Sequence, residues 1–148
     1  MNIFSKSILL AVALALTQPA HAHTDEYLDT VSAPHGGQLR MTGPYHYELV
    51  VKNNELTLYL TDHGGTNVAS AGATGSAIIL TSKGKTRIQL TPAGNNIIHG
   101  SGTFEAGPDM KVAVSITLPG QEAALARFTP FRKLPAATGA VSLQTHPH

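Results

Sequence analysis

The segment Tyr45 to His63, YHYELVVKNNELTLYLTDH, constrains this chain more than any other. Tyr45, Tyr47, Leu49 and Val51 alternate with His46, Glu48 and Val50, and Leu56, Leu58 and Leu60 alternate with Thr57, Tyr59 and Thr61. A period of two is the mark of a strand with one face turned to a core. Asn53-Asn54 separates the two runs, and Asn tolerates the positive φ that a two-residue hairpin turn requires. With that turn, Lys52 faces Glu55 and His46 faces Thr61. His63 then falls on the diagonal from His46, on the same face. Diagonal neighbours are roughly 7–8 Å apart, within reach of long side chains. The Leu and Tyr47 face must turn inward, so His46, Glu48 and Tyr59 are expected on the outer, wet face. An ordinary solvated polar face gives the same pattern, and the alternation alone does not separate the two.

The first 22 residues read as a secretory signal peptide. Lys6 gives a positive start, Ile8 to Leu16 is an apolar run, and Ala20-His21-Ala22 is a small-x-small cleavage site. The run is too short to span a membrane, and no later segment is apolar enough to be membrane-embedded. The expected location is the periplasm. Without Lys6, Lys plus Arg equal the 9 Asp plus Glu. Balanced charge argues against nucleic acid or anionic lipid as the main partner. The chain has no Cys, which excludes disulfides, thiolate catalysis and thiolate metal sites. Histidines are plentiful at 8 in a chain only 13% charged. His23, His35, His46, His63, His99, His146 and His148 lie beyond the leader. Imidazole is the commonest protein metal ligand.

Residues 23–33 are acidic and irregular and read as a flexible arm. Cleavage after Ala22 would leave His23 with a free α-amine, a chelating pair at a terminus that is otherwise loose. Pro34-His35-Gly36-Gly37 is a turn, placed so that the chain folds back over the hairpin. Gln38 to Met41 reads as a short strand, and Gly43-Pro44 breaks the chain before the hairpin. Asp62-His63-Gly64-Gly65 ends the hairpin with the same His-Gly-Gly signature. Further strands are expected at Thr74 to Leu80, Thr86 to Leu90, Ile97 to Phe104, Lys111 to Leu118 and Glu122 to Phe128. Gly100 and Gly102 weaken the third of these. Seven short strands about ten residues apart argue for an all-β, antiparallel, immunoglobulin-like β-sandwich over 34–129. The tail, 130–148, is Pro-, Ala- and Gly-rich and reads as disordered.

No catalytic signature is present: no G-x-S-x-G elbow, no H-E-x-x-H, no phosphate loop and no GxGxxG after a strand. A non-enzymatic role is expected. The residues favour a divalent metal: His35, His46 and His63 as nitrogen donors, Glu48 or Asp62 as oxygen donors, and His23 as an accessory. Such donors suit Cu(II), Zn(II), Ni(II) or Co(II). Cu(I) is disfavoured, because beyond the leader only Met41 and Met110 carry sulfur. His99, between apolar residues, is expected to be structural. The alternative is a non-catalytic interaction module, with incidental histidines, that docks on an efflux pump or another envelope protein.

The runs APHGG, YHYELVV, LYLTDHGG, GATGSAIIL and LTPAGNN resemble small periplasmic proteins linked to heavy-metal efflux. They are also similar to the extra domain of periplasmic adaptor subunits of heavy-metal efflux pumps of the resistance–nodulation–division type. The resemblance spans about Ala33 to Phe128. It implies a stand-alone domain in heavy-metal resistance, with His35, His46 and His63 as ligands and a pump component as a partner. The helical hairpin and lipoyl parts of an adaptor are missing, which puts direct pump assembly in doubt. A weaker likeness is to periplasmic copper-resistance sandwich proteins, whose mature chains also begin with His.

Overall fold

A computed structural model describes residues 25–133. The signal peptide, His23 and the tail from 134, with His146 and His148, lie outside the described residues. One helical turn, α1 (Asp25–Leu28), precedes eight strands: β1 (Gln38–Thr42), β2 (Tyr45–Lys52), β3 (Glu55–Asp62), β4 (Thr74–Thr81), β5 (Gly84–Pro92), β6 (Ile97–Ser101), β7 (Lys111–Thr117) and β8 (Ala124–Phe128). No described helix is long and apolar enough to cross a membrane.

The strands form a single antiparallel sheet in the order β1-β2-β3-β6-β5-β4-β7-β8, curled into a nearly closed, barrel-like shape. The all-β antiparallel expectation holds. The immunoglobulin-type sandwich is not confirmed, because β5 joins the two halves into one sheet. Its first part pairs with β4, from Gly84 to Leu90, and its end pairs with β6 through Thr91 and Pro92. Gly100 makes this crossing possible: a Cβ there would stand 2.5 Å from the Gln89 carbonyl oxygen and 2.7 Å from Ile88 Cγ2. The glycine that weakens β6 as a strand thus lets β5 approach closely.

The hairpin takes the expected register, with Lys52 opposite Glu55, Glu48 opposite Tyr59 and His46 opposite Thr61. Asn53 and Asn54 both have positive φ, 49° and 63°, as a type I′ turn demands. The inward faces of β2 to β8 build one core, in which Tyr47, Leu56, Leu58, Leu60, Ile79, Leu90, Val114, Ile116 and Phe128 are almost wholly buried, while β1 turns the polar Arg40 and Thr42 inward. Each large aliphatic side chain so placed contributes about 1.5–3 kcal/mol.

The two outer strands, β1 and β8, are joined by side chains instead of a backbone ladder. Arg40 Nε donates to the Arg127 carbonyl (3.0 Å), and Thr129 N donates to Gln38 Oε1 (2.8 Å). Asp29, just after α1, accepts from Arg40 Nη1 at 2.8 Å and from Gln38 Nε2 at 3.0 Å, and Arg132 approaches its other oxygen at 3.3 Å. Leu28 is buried beside it. The described part of the expected loose arm is therefore tied down, because a buried Arg40 requires a carboxylate and this segment supplies one. Burial is the largest influence on the Asp29 carboxyl and pushes it up. Hydrogen bonds from Arg40 and Gln38, with the charges of Arg40 and Arg132, outweigh that and hold it below its ordinary value of 3.8.

Two outcomes are expected. A carboxyl depressed by folding contributes stability that is complete above its ordinary value and is lost as pH falls through the folded one. Asp29→Ala should therefore cost about 3–5 kcal/mol in urea unfolding at neutral pH, since it strands a buried guanidinium. The cost should shrink below about pH 4, where the native carboxyl also protonates. Burial, with Tyr45 adding, pushes the Tyr47 hydroxyl up to about 12. That hydroxyl has no hydrogen-bond partner among the described residues. Tyr47→Phe should be neutral or stabilising by up to about 1 kcal/mol, and a loss above about 1 kcal/mol would reveal a partner for the oxygen.

Candidate metal centre

The outer face of the hairpin is only partly wet. Glu48 was expected there as an exposed oxygen donor, yet it is 3% exposed. The segment after Ala33 crosses back over it, as the spacing of His35 and His46 suggested. Gly37 allows the crossing: a Cβ at this position would run into the Leu49 carbonyl and stand 2.9 Å from Val50 Cγ2. A carboxylate shut off from water needs donors, and Glu48 finds them all in this segment. Oε1 accepts from the backbone N–H of His35 at 2.7 Å and of Gly37 at 3.0 Å; Oε2 takes the His35 ring at Nδ1, 2.7 Å away. The carboxylate is thus committed to holding the turn and is poorly placed to act as a ligand itself.

His35 is held from two sides. Its ring stacks on Tyr59, with centroids 3.6 Å apart and planes 3° from parallel, and Tyr59 stands opposite Glu48 in the ladder. Against an ionised carboxylate, which only accepts, Nδ1 is the donor, and in the neutral tautomer that fits this bond the lone pair is on Nε2. The side chain remains 44% exposed. It is an imidazole fixed through Nδ1, the arrangement by which a carboxylate orients the ring of a histidine and leaves the other nitrogen outward.

His46 lies two residues before Glu48, on the same face of β2. His63 follows the end of β3, in the turn that reverses the chain. Asp62 builds that turn: its Oδ1 accepts from Gly64 N at 2.8 Å and Thr66 N at 2.9 Å, and its backbone N–H donates to the Thr66 carbonyl. The turn brings the rings of His63 and His46 together, with centroids 4.9 Å apart and planes at 29°. Strand parity therefore does set these two imidazoles side by side. Asp62 shapes the turn that carries one of them.

His99 stands opposite Thr57, on the far side of β3 from β2, with Nε2 3.8 Å from Glu55 Oε2. It is separate from the other three. Among the described residues, no three His, Asp or Glu side chains gather closely enough to make a ready metal cage. What exists is a histidine pair and, one row along the same face, the tethered His35. A pocket of about 360 Å³ lies elsewhere, lined by Asp29, Arg40, Ile78, Leu80 and Phe128 at the β1–β8 seam, and includes none of these histidines. The Glu48 cradle was beyond sequence reasoning, because nothing local to Glu48 announces that a turn eleven to thirteen residues earlier will cover it.

No family model, no curated protein and no solved structure matches this chain.

Glu48→Ala should cost about 2–4 kcal/mol in chemical unfolding, since it leaves two backbone N–H groups and a ring N–H without an acceptor. Glu48→Gln keeps one amide oxygen for the two backbone donors and should cost less than half as much. Equal losses in the two variants would mean that packing, rather than these bonds, holds the turn.

Proposed function

We propose that this chain is a periplasmic metal-binding protein of heavy-metal homeostasis or resistance, binding copper, zinc, nickel or cobalt. The observation that carries the reading is the His46–His63 pair, two imidazoles 4.9 Å apart on one face of a rigid hairpin. His35 supports it from the adjacent row, its Nδ1 bonded to Glu48 and its Nε2 left for ligation. Neutral nitrogen donors in a protein without thiolate suit borderline divalent ions. The three histidines that the resemblance to efflux-associated proteins implies as ligands are the three on this face. A domain exported by the expected leader would meet such ions in the periplasm. A pump component is its proposed protein partner.

Calorimetric titration with Cu(II), Zn(II), Ni(II) and Co(II) tests this. At least one ion should bind more tightly than ~10 μM at neutral pH, a Kd equivalent to about −7 kcal/mol. His46→Ala/His63→Ala should abolish that binding without unfolding the chain. Affinity should also fall as pH is lowered, because a histidine ligand must be deprotonated to bind the ion. If none of these divalent ions binds at that level, or if the double variant binds as native does, the divalent reading fails and docking on an envelope protein becomes the better account.

A further inference from the structure

The ladder between β1 and β2 brings a third kind of donor to this face. Met41 pairs directly with His46. Directly opposed residues of an antiparallel pair leave the sheet on the same side, with Cβ atoms about 4.5–5.5 Å apart. The neighbours of Met41 confirm its direction: Arg40 and Thr42 are buried, while Met41 is half-buried. Met41 on β1 and His46 on β2 thus form one row across the outer face, with His63, in the turn after β3, on the diagonal from His46. The ladder sets Met41 beside His46 on one side, and the second imidazole stacks against the His46 ring at 4.9 Å. Met110 is of no use here, since it is wholly buried in the core.

The chemistry of this row is soft and neutral. Two imidazoles and one thioether bring no negative charge. The two carboxylates nearest to it, Glu48 and Asp62, already accept from backbone amides. Thioether sulfur is a poor donor to Zn(II), Ni(II) or Co(II) and a good one to Cu(I). A monovalent ion also needs no anionic ligand to offset its charge. Resting on the metal-site reading above, we propose that Met41 is a ligand alongside His46 and His63, and that the ion this site selects is Cu(I). Beyond the leader the chain carries only two methionines, Met41 and Met110. Position outweighs number, because one thioether paired in the ladder with His46 would join the two imidazoles as a third donor.

The test compares the native protein with Met41→Leu and with His46→Ala/His63→Ala. Cu(I) is presented anaerobically in competition with bicinchoninate, and Zn(II) is titrated separately. Leu replaces Met at nearly constant volume, so Met41→Leu should melt within a few degrees of native. It should lose about tenfold or more in Cu(I) affinity while its Zn(II) affinity changes by less than about threefold. X-ray absorption at the copper edge should show a sulfur neighbour in the native protein and none in Met41→Leu. Unchanged Cu(I) affinity in Met41→Leu, or a native spectrum without sulfur, overturns the assignment of Met41. If the double-histidine variant has meanwhile lost binding, the broader metal-site reading stands without it. A native protein that binds neither ion removes both.

Discussion

Glu48 sits in the middle of β2 with 3% of its surface exposed, where a carboxylate without donors would cost several kcal/mol. Tyr47 and Leu49 on either side of it fill the core, so the strand cannot turn to release it. The remaining solution is to bring donors to the carboxylate. The turn at His35–Gly37 supplies two backbone amides and a ring N–H, and Gly37 supplies the absence of a side chain that lets the backbone lie so close. Once this turn is docked, β1 follows it directly into the ladder beside β2. The position of β1 then determines where Arg40 reaches β8, and where Met41 meets His46.

The barrel closes by a similar device at its other edge. β1 is five residues long and β8 is five, and no backbone ladder joins them. Arg40 and Gln38 span the gap with their side chains, and Asp29 neutralises the guanidinium that this requires. Two buried carboxylates thus perform comparable tasks. Glu48 fastens the segment before β1 to the hairpin, and Asp29 fastens β1 to β8. Both act through charge-assisted hydrogen bonds, which are stronger and more directional than neutral ones. The histidine face lies on the first of these attachments, away from the apolar pocket at the second.

Much of the arrangement was legible from residue pattern. The alternation through YHYELVV and ELTLYL placed β2 and β3 to within a residue, and Asn53-Asn54 identified the turn between them. The same parity put His46 and His63 on one face, where their rings do meet. Other parts were not legible. Alternation says which side of a strand Glu48 occupies but not whether a distant segment covers that side, so the expectation of a wet carboxylate failed. Gly100 in β6 reads locally as a loss of strand propensity. Its use as a point of close approach for β5, and with it one curled sheet, depends on a partner strand that no local rule specifies. Met41 is one more apolar residue in a short strand until its ladder partner is known.

Sequence by itself determined the β architecture, the hairpin and the grouping of His46 with His63, because strand parity and turn chemistry act over a few residues. It also determined the available donors: histidines, carboxylates and methionines, with no thiol. Tertiary structure decided which of those donors share a neighbourhood. It withdrew Glu48 and Asp62 into backbone hydrogen bonds, tied one nitrogen of His35, and paired Met41 with His46 across the ladder. Those choices follow from how β1 and the turn before it pack on β2, and such packing joins residues too far apart along the chain for any local pattern to record.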